Sequence, residues 1–304
     1  MLTVCATFVL LLLGSIVTTF QVGMVDPVWP TTPWHLLLIS WDEPSPGFLI
    51  EHAHRLAGYV VGCCIIVLAV GLWRWEPRAW VQRLGWAALL GVVLQGVLGG
   101  MRVRFNAWLG TDLAALHGCF AQIVFALLAS LALVTSPRWV CGGPRLADSA
   151  PLQRWSVVTA VLLYVQIVLG AVLRHAKSDA YSLVGQRGHL FVAFLAVAAV
   201  IWLLKLALED RERTVIAPVL VLAALMIVQA ALGVESWLMR FARGISPASL
   251  EQITIPQAAL RTAHVLTGFC ILAVAVVTAL RSRRLPAVET RPATVPSRRL
   301  EGTA

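Results

Sequence analysis

Runs of about twenty mostly apolar residues recur along nearly the whole chain, and this recurrence constrains the fold more than any other feature. A helix that crosses a bilayer needs roughly 20 such residues at about 1.5 Å rise each, and it satisfies its backbone hydrogen bonds internally. Eight runs qualify, at residues 2–24, 49–73, 84–104, 112–134, 155–174, 186–208, 215–238 and 257–280. With 59% of the 304 residues apolar and 13% charged, little chain remains for a soluble domain. The first run lacks a basic flank and is too long for a signal peptide, so it is read as a first helix. The expected fold class is an all-α integral membrane protein with eight transmembrane helices.

A net charge of +9 would suit nucleic acid, but the placement of the basic residues points to a membrane address and argues against a nucleic-acid partner. Fifteen of the 24 Lys and Arg, from Arg74, Arg78 and Arg83 to Arg281, Arg283, Arg284 and Arg299, lie in or beside alternate loops and the C-terminal tail. By the positive-inside rule that side is cytoplasmic, which puts both termini inside the cell (inner) membrane and loops 25–48, 105–111, 175–185 and 239–256 outside. Tryptophans fit this layout: Trp29, Trp34, Trp41, Trp108 and Trp237 fall at the outer interface, and Trp73, Trp75, Trp80, Trp139 and Trp155 at the inner one. None of the six cysteines lies in an outer loop, so no disulfide is expected.

Self-comparison yields a repeated helical hairpin, in which an odd-numbered helix ends near a Gln-x-x-Leu-Gly string and the next helix opens near a histidine. Gln95 to Gly99 precedes His117, Gln166 to Gly170 precedes His189, and Gln229 to Gly233 precedes His264. The first hairpin offers Gln21-Val22-Gly23 before His54, a degraded copy. Four hairpins make two similar halves, residues 1–134 and 155–280, joined by a cytoplasmic linker at 135–154. They are followed by a basic tail at 281–304, expected to be disordered. The spacing does not say which hairpins are neighbours.

All four even-numbered helices run inward, so His54, His117, His189 and His264 each lie within about two turns of an outer helix end. One intramembrane histidine is ordinarily a packing residue, but four at one depth in four repeated units read as metal ligands. No thiolate or carboxylate accompanies all four, which disfavours a compact metal cluster. A haem held by two imidazoles from two helices suits the pattern, since the macrocycle needs an apolar slot and two opposed axial ligands. Two pairs imply two haems near the outer side. Their propionates need cations, and Arg55, Arg102, Arg104, Arg174, Lys177, Arg187, Arg240, Arg243 and Arg261 gather at that side against the charge bias. His35 and His175 in outer loops, and His52, which points away from His54, receive no role.

One carboxylate breaks the symmetry. The residues three before the histidines are Glu51, Ala114, Gln186 and Arg261, so only the first hairpin carries an acid. At i, i+3 Glu51 and His54 share a helix face. A carboxylate in so apolar a setting is costly and is read as functional, with pairing to Arg55 at i+4 as the plain alternative.

Eight helices in two halves, the string Glu51-His52-Ala53-His54-Arg55, the later histidines and the Asp26-Pro27-Val28-Trp29-Pro30 loop together resemble the haem A synthase family, over roughly residues 1–280. That family oxidises the C8 methyl of haem O, through an alcohol, to the formyl group of haem A, the cofactor of terminal oxidases. The resemblance implies that the N-terminal half holds the substrate haem, with Glu51 catalytic, His54 and His117 as iron ligands and Arg55 beside them. It also implies a permanent b-type haem on His189 and His264. Implied partners are the lipid bilayer, haem O, the haem O synthase that hands it over and an electron carrier, with homo-oligomerisation left open. The chain departs from some bacterial members in having no cysteine pair in loop 25–48. A dihaem cytochrome that only carries electrons is the alternative. It is disfavoured because both haem sites lie on one side, whereas a transmembrane relay stacks them at two depths.

Overall fold

The computed structural model describes residues 1–26, 28, 45–141, 150–175, 179–210, 213–241 and 253–283. Eight long helices run through them: α1 (Leu2–Thr19), α2 (Pro46–Trp75), α3 (Ala79–Arg104), α4 (Asp112–Val134), α5 (Ala150–His175), α6 (Asp179–Asp210), α7 (Arg213–Phe241) and α8 (Ile255–Ser282). Each is long and apolar enough to cross a membrane. The chain is a multi-span, all-helical membrane protein.

Six of the eight helices outrun the apolar segments that announce them. At 30 residues α2 is about 45 Å long against a hydrocarbon core of about 30 Å, because backbone hydrogen bonding continues past the edge of the lipid. Its start is set by Ser45, whose side chain accepts from Phe48 N, with Pro46 at the first helical position. In α8 a capping box between Thr254 and Gln257 does the same. The first helix is shorter than its apolar run: Gln21 takes a positive φ of 58°, and the chain leaves the helix there.

Two one-turn helices, Asn106–Leu109 and Pro137–Val140, sit in the connections after α3 and α4. The expected linker at 135–154 is reduced by α5, which begins at Ala150, and residues 142–149 lie outside the described residues. So do residues 284–304 of the expected tail, and Trp29, Trp34, Trp41, His35, Lys177 and Arg243 of the outer loops.

Helix contacts resolve which hairpins are neighbours. In residues 1–134, α1 packs on α2, α2 on α3, α3 on α4 and α4 back on α1; the second set closes identically through α5, α6, α7 and α8. The two four-helix rings meet through α4 against α8, flanked by α1 against α8 and α4 against α5. The flanking contacts exchange under a two-fold relation between the rings. Phe125 and Leu11 pack with Phe269 and Ala273 at this seam. Residues such as Val67, Phe194 and Ile227 are left exposed around the outside, as lipid-facing side chains are.

The apolar cores of the rings are off-centre. One comprises Val61, Ile65, Val81, Ala88, Val124, Leu128 and Leu131, and the other Leu152, Leu163, Val200, Leu203, Val219, Leu222 and Leu272. Leu163 lies at mid-helix, and the others belong to the helix halves remote from the histidines. Among the described residues no comparable cluster fills either ring at the histidine end, which leaves that depth for something other than side-chain packing.

Candidate functional site

Each histidine stands over a glycine of the preceding helix in its own hairpin. A Cβ added at Gly14 would lie 2.8 Å from His54 Cε1, at Gly99 3.6 Å from His117, at Gly170 3.0 Å from His189 and at Gly233 3.2 Å from His264. At Gly14, Gly170 and Gly233 the absence of a side chain lets the imidazole lie against the helix backbone, whereas at Gly99 a Cβ would make an ordinary contact. The residue one turn before each glycine takes part through its main chain: the His54 ring faces the backbone of Leu10, that of His117 the backbone of Gln95, and that of His264 the backbone of Gln229. In the third hairpin the contact is a 3.1 Å hydrogen bond between His189 Nδ1 and the Gln166 carbonyl.

This corrects the reading of the first hairpin. Its counterpart of the Gln-to-Gly string is Leu10 to Gly14, not Gln21 to Gly23. Gly23 lies in the turn beyond the end of α1, past the depth of the other three glycines. It serves another purpose: a Cβ there would collide with Arg102 Nη2.

In the C-terminal ring the two imidazoles are opposed, with centroids 6.3 Å apart and planes crossing at 67°. A carbonyl only accepts, so His189 Nδ1 is the donor to Gln166 O and Nε2 presents its lone pair. That nitrogen is capped by the Gln166 amide at 3.3 Å, and His264 Nε2 is capped by the Gln229 amide at 3.3 Å. Metal–nitrogen bonds of about 2.0–2.1 Å on either side of one ion put coordinated ring centroids about 6 Å apart once the ring radii are added. The donor set and its spacing therefore fit a group ligated by two neutral imidazoles, with the second nitrogen of His189 bonded to the backbone.

The N-terminal ring is built alike, with His54 and His117 within electrostatic range of one another, but its surroundings are charged. Glu51, only 4% exposed, has both oxygens engaged: Oε1 receives Arg55 Nη2 at 2.7 Å and Oε2 receives the Asp26 amide at 2.8 Å. Arg55 also donates from Nη1 to the Val28 carbonyl at 2.8 Å, from Nη2 to the Asp26 carbonyl, and pairs with Asp26 Oδ2 at 3.1 Å. Asp26 is fully buried and its Oδ1 accepts from Val28 N at 3.1 Å. His52 is buried too, its Nδ1 3.7 Å from Asp26 Oδ2 and its ring stacked on Phe48. The helix thus presents His54 to the ring and His52 to a buried ionic cluster that ties the segment after α1 to α2. Helical spacing foretold that the two histidines diverge, but not that His52 finds Asp26, a contact between residues 26 apart in the chain. The same holds for Asp26 and Arg55; the only sequence signal was the Asp26-Pro27 string itself.

Of the cations at the histidine end, Arg102 lies in electrostatic range of His54, His117, Glu51 and Arg55. Arg174 crosses the seam to donate to Thr19 Oγ1 at 2.7 Å and Ser15 O at 3.2 Å, next to Gly14. Thr19 Oγ1 lies 3.3 Å from Thr262 Oγ1 of α8. His175 is the last residue of α5 rather than a loop residue, and its carbonyl accepts from Thr111 Oγ1 at 2.9 Å. Arg104 and Arg187 are exposed.

The profile of a family described as COX15-CtaA, cytochrome oxidase assembly protein, matches residues 1–187, a stretch containing Glu51, His54, Arg55, Arg102 and His117. Similar curated proteins carry the name heme A synthase. One, of Shouchella clausii, is 27% identical over 187 residues, 58% of each chain. Another, of Exiguobacterium sibiricum, is 28% identical over 184 residues, again 58% of each. A third, of an Exiguobacterium species, is 26% identical over 228 residues, 68% of this chain and 71% of that protein. The chain thus matches under two thirds of the length of the first two relatives.

Proposed function

The chain belongs to the COX15-CtaA family of cytochrome oxidase assembly proteins, and from that premise we propose that it is a haem A synthase, oxidising the C8 methyl of haem O to a formyl group. The observation that carries this reading is the contrast between its two rings: each presents two histidines over two glycines, and among the described residues only the N-terminal ring adds buried carboxylates, Glu51 on the helix of His54 and Asp26 bonded to it. A protein that only carried electrons would need no such acid. In this reading the C-terminal ring holds a resident b-type haem through His189 and His264, and the N-terminal ring takes haem O through His54 and His117.

A b-type haem on the C-terminal pair would supply a one-electron redox group beside the substrate ring. The residues of the N-terminal ring do the rest. His54 and His117 fix the iron, and so the plane and depth of the porphyrin. Methyl to formyl is two successive two-electron oxidations, R–CH3 + H2O → R–CHO + 4 H+ + 4 e−, with the electrons leaving to the electron carrier and the oxygen supplied by water. Each develops positive charge on the carbon conjugated to the macrocycle, which the Glu51 carboxylate stabilises. Arg55 and the Asp26 amide hold that carboxylate on two donors, so its position is set before substrate arrives.

The sites would lie near the outer face, with both termini cytoplasmic, as the fifteen basic residues of one side support. The bilayer, haem O, its synthase and an electron carrier are the proposed partners. Expression in a cell lacking any other haem A synthase, followed by haem extraction, tests the whole reading. Haem A or its alcohol precursor is expected; haem B alone would leave an electron-carrying cytochrome as the better account.

A further inference from the structure

We infer that Arg102 is the anion-binding residue of the N-terminal ring and receives a propionate carboxylate of the porphyrin bound there. The inference rests on the haem reading above and adds the residue that orients the macrocycle about the axis fixed by His54 and His117.

Two guanidiniums occupy matching places, each fifteen residues before the histidine of its hairpin: Arg102 before His117 and Arg174 before His189. They are used differently. Arg174 is committed to Ser15 O and Thr19 Oγ1 across the seam. Arg102 is partly buried near the outer end of α3, faces Glu51, His54, His117 and Arg55 electrostatically, and has no hydrogen bond or close ion pair among the described residues. A half-buried guanidinium that keeps its donors open to solvent and spends none of them on protein acceptors is available to an anion arriving at that depth.

Arg55 is no substitute. Its terminal nitrogens are taken by Glu51, Asp26 and the Val28 carbonyl, and its side chain is 8% exposed. The chain also makes specific room for Arg102. Gly23 lies so close to the guanidinium that any side chain there would displace it. A planar fork of donors matches a carboxylate in two-point contact, and a porphyrin ligated near the outer helix ends brings its propionates to that depth.

The test uses the full chain with its C-terminal site loaded, titrated spectroscopically with iron protoporphyrin IX and with its dimethyl ester, which keeps the iron and the ring but has no carboxylate. Wild type is expected to bind the diacid about tenfold or more tightly than the diester. Arg102→Gln should shrink that preference to about threefold or less, chiefly by weakening the diacid. Gly23→Ala should do the same by pushing the guanidinium aside, and because only the end of a flexible side chain must move, its fold is retained. Arg83→Gln, at an exposed position toward the opposite end of the same helix, should leave the preference unchanged. His54→Ala should weaken both porphyrins alike. If Arg102→Gln and Gly23→Ala both keep the wild-type preference, the assignment is wrong while the haem reading stands. If those variants instead respond only to anionic lipid content, Arg102 serves a lipid phosphate and the assignment is equally overturned. A wild-type N-terminal ring that binds neither porphyrin would remove the premise along with the inference.

Discussion

His189 and His264 face each other across the C-terminal ring with centroids 6.3 Å apart and planes crossed at 67°, each with an amide nitrogen 3.3 Å from its Nε2. Two lone pairs held at that separation behave as one site. Replacing either histidine with alanine should convert a low-spin haem spectrum to high-spin or lose the pigment from the purified protein. An unchanged low-spin spectrum in both variants would exclude the pair as axial ligands.

The four glycines beneath the histidines make a graded series. Gly14→Ala brings a methyl 2.8 Å from the His54 ring and should cost about 1–3 kcal/mol or displace the imidazole. Gly170→Ala and Gly233→Ala, at 3.0 and 3.2 Å, should disturb the C-terminal haem spectrum before they disturb folding. Gly99→Ala meets an ordinary 3.6 Å contact and should be neutral, or stabilising by about 0.5–1 kcal/mol through helix propensity. Thermal unfolding midpoints and haem spectra of the set give the order, and an inverted order would contradict the geometry.

Glu51→Gln keeps the shape of the side chain but removes its charge. Arg55 retains Asp26 as a counter-ion, so the fold should survive and haem should still bind. Extracted pigment should then be enriched in haem O or the alcohol, with little haem A. Formation of haem A at the normal rate would reassign Glu51 to the ionic cluster alone.

Asp26 serves four contacts at once: Glu51, Val28, His52 and Arg55. Asp26→Ala leaves Arg55 buried with one carboxylate instead of two and should cost about 3 kcal/mol, seen as a lower unfolding midpoint. Faster hydrogen exchange at the N-terminal end of α2 should accompany it. Asp26→Asn, which keeps the Val28 bond, should lose less.

Outside the membrane-spanning segments, the Arg78 guanidinium holds the Glu76 carboxyl below its usual range through hydrogen bonds of 2.6 and 2.9 Å in the turn between α2 and α3. A lowered carboxyl contributes stability that is present above its unfolded value and is lost as pH falls through the folded one. The loss therefore belongs below about pH 4.5. The pair is partly solvated, so its size is on the order of 1 kcal/mol or less. Glu76→Gln should flatten that acid limb in a pH series of unfolding midpoints and change nothing at pH 7 beyond the lost pair.

The eight helices and the matched depth of four histidines were written in local pattern: apolar length sets a membrane span, and position within the span sets depth. The strings Gln95 to Gly99, Gln166 to Gly170 and Gln229 to Gly233 could be found by comparison because each repeats a local geometry. Glu51 stood out because one acid in an apolar face is costly wherever the helix packs. Tertiary structure alone decided the rest. It closed the hairpins into two rings joined at α4 and α8, a matter of contacts between segments far apart in sequence. It chose Gly14 over Gly23 as the partner of His54, because the true partner is set by depth in the bundle and not by likeness of letters. It turned Asp26, Glu51, His52 and Arg55 into one buried ionic cluster, and it left Arg102 without a hydrogen bond among the described residues while tying its counterpart Arg174 to another helix. Residue type fixes which groups can bond; only the folded path of the chain decides which of them meet.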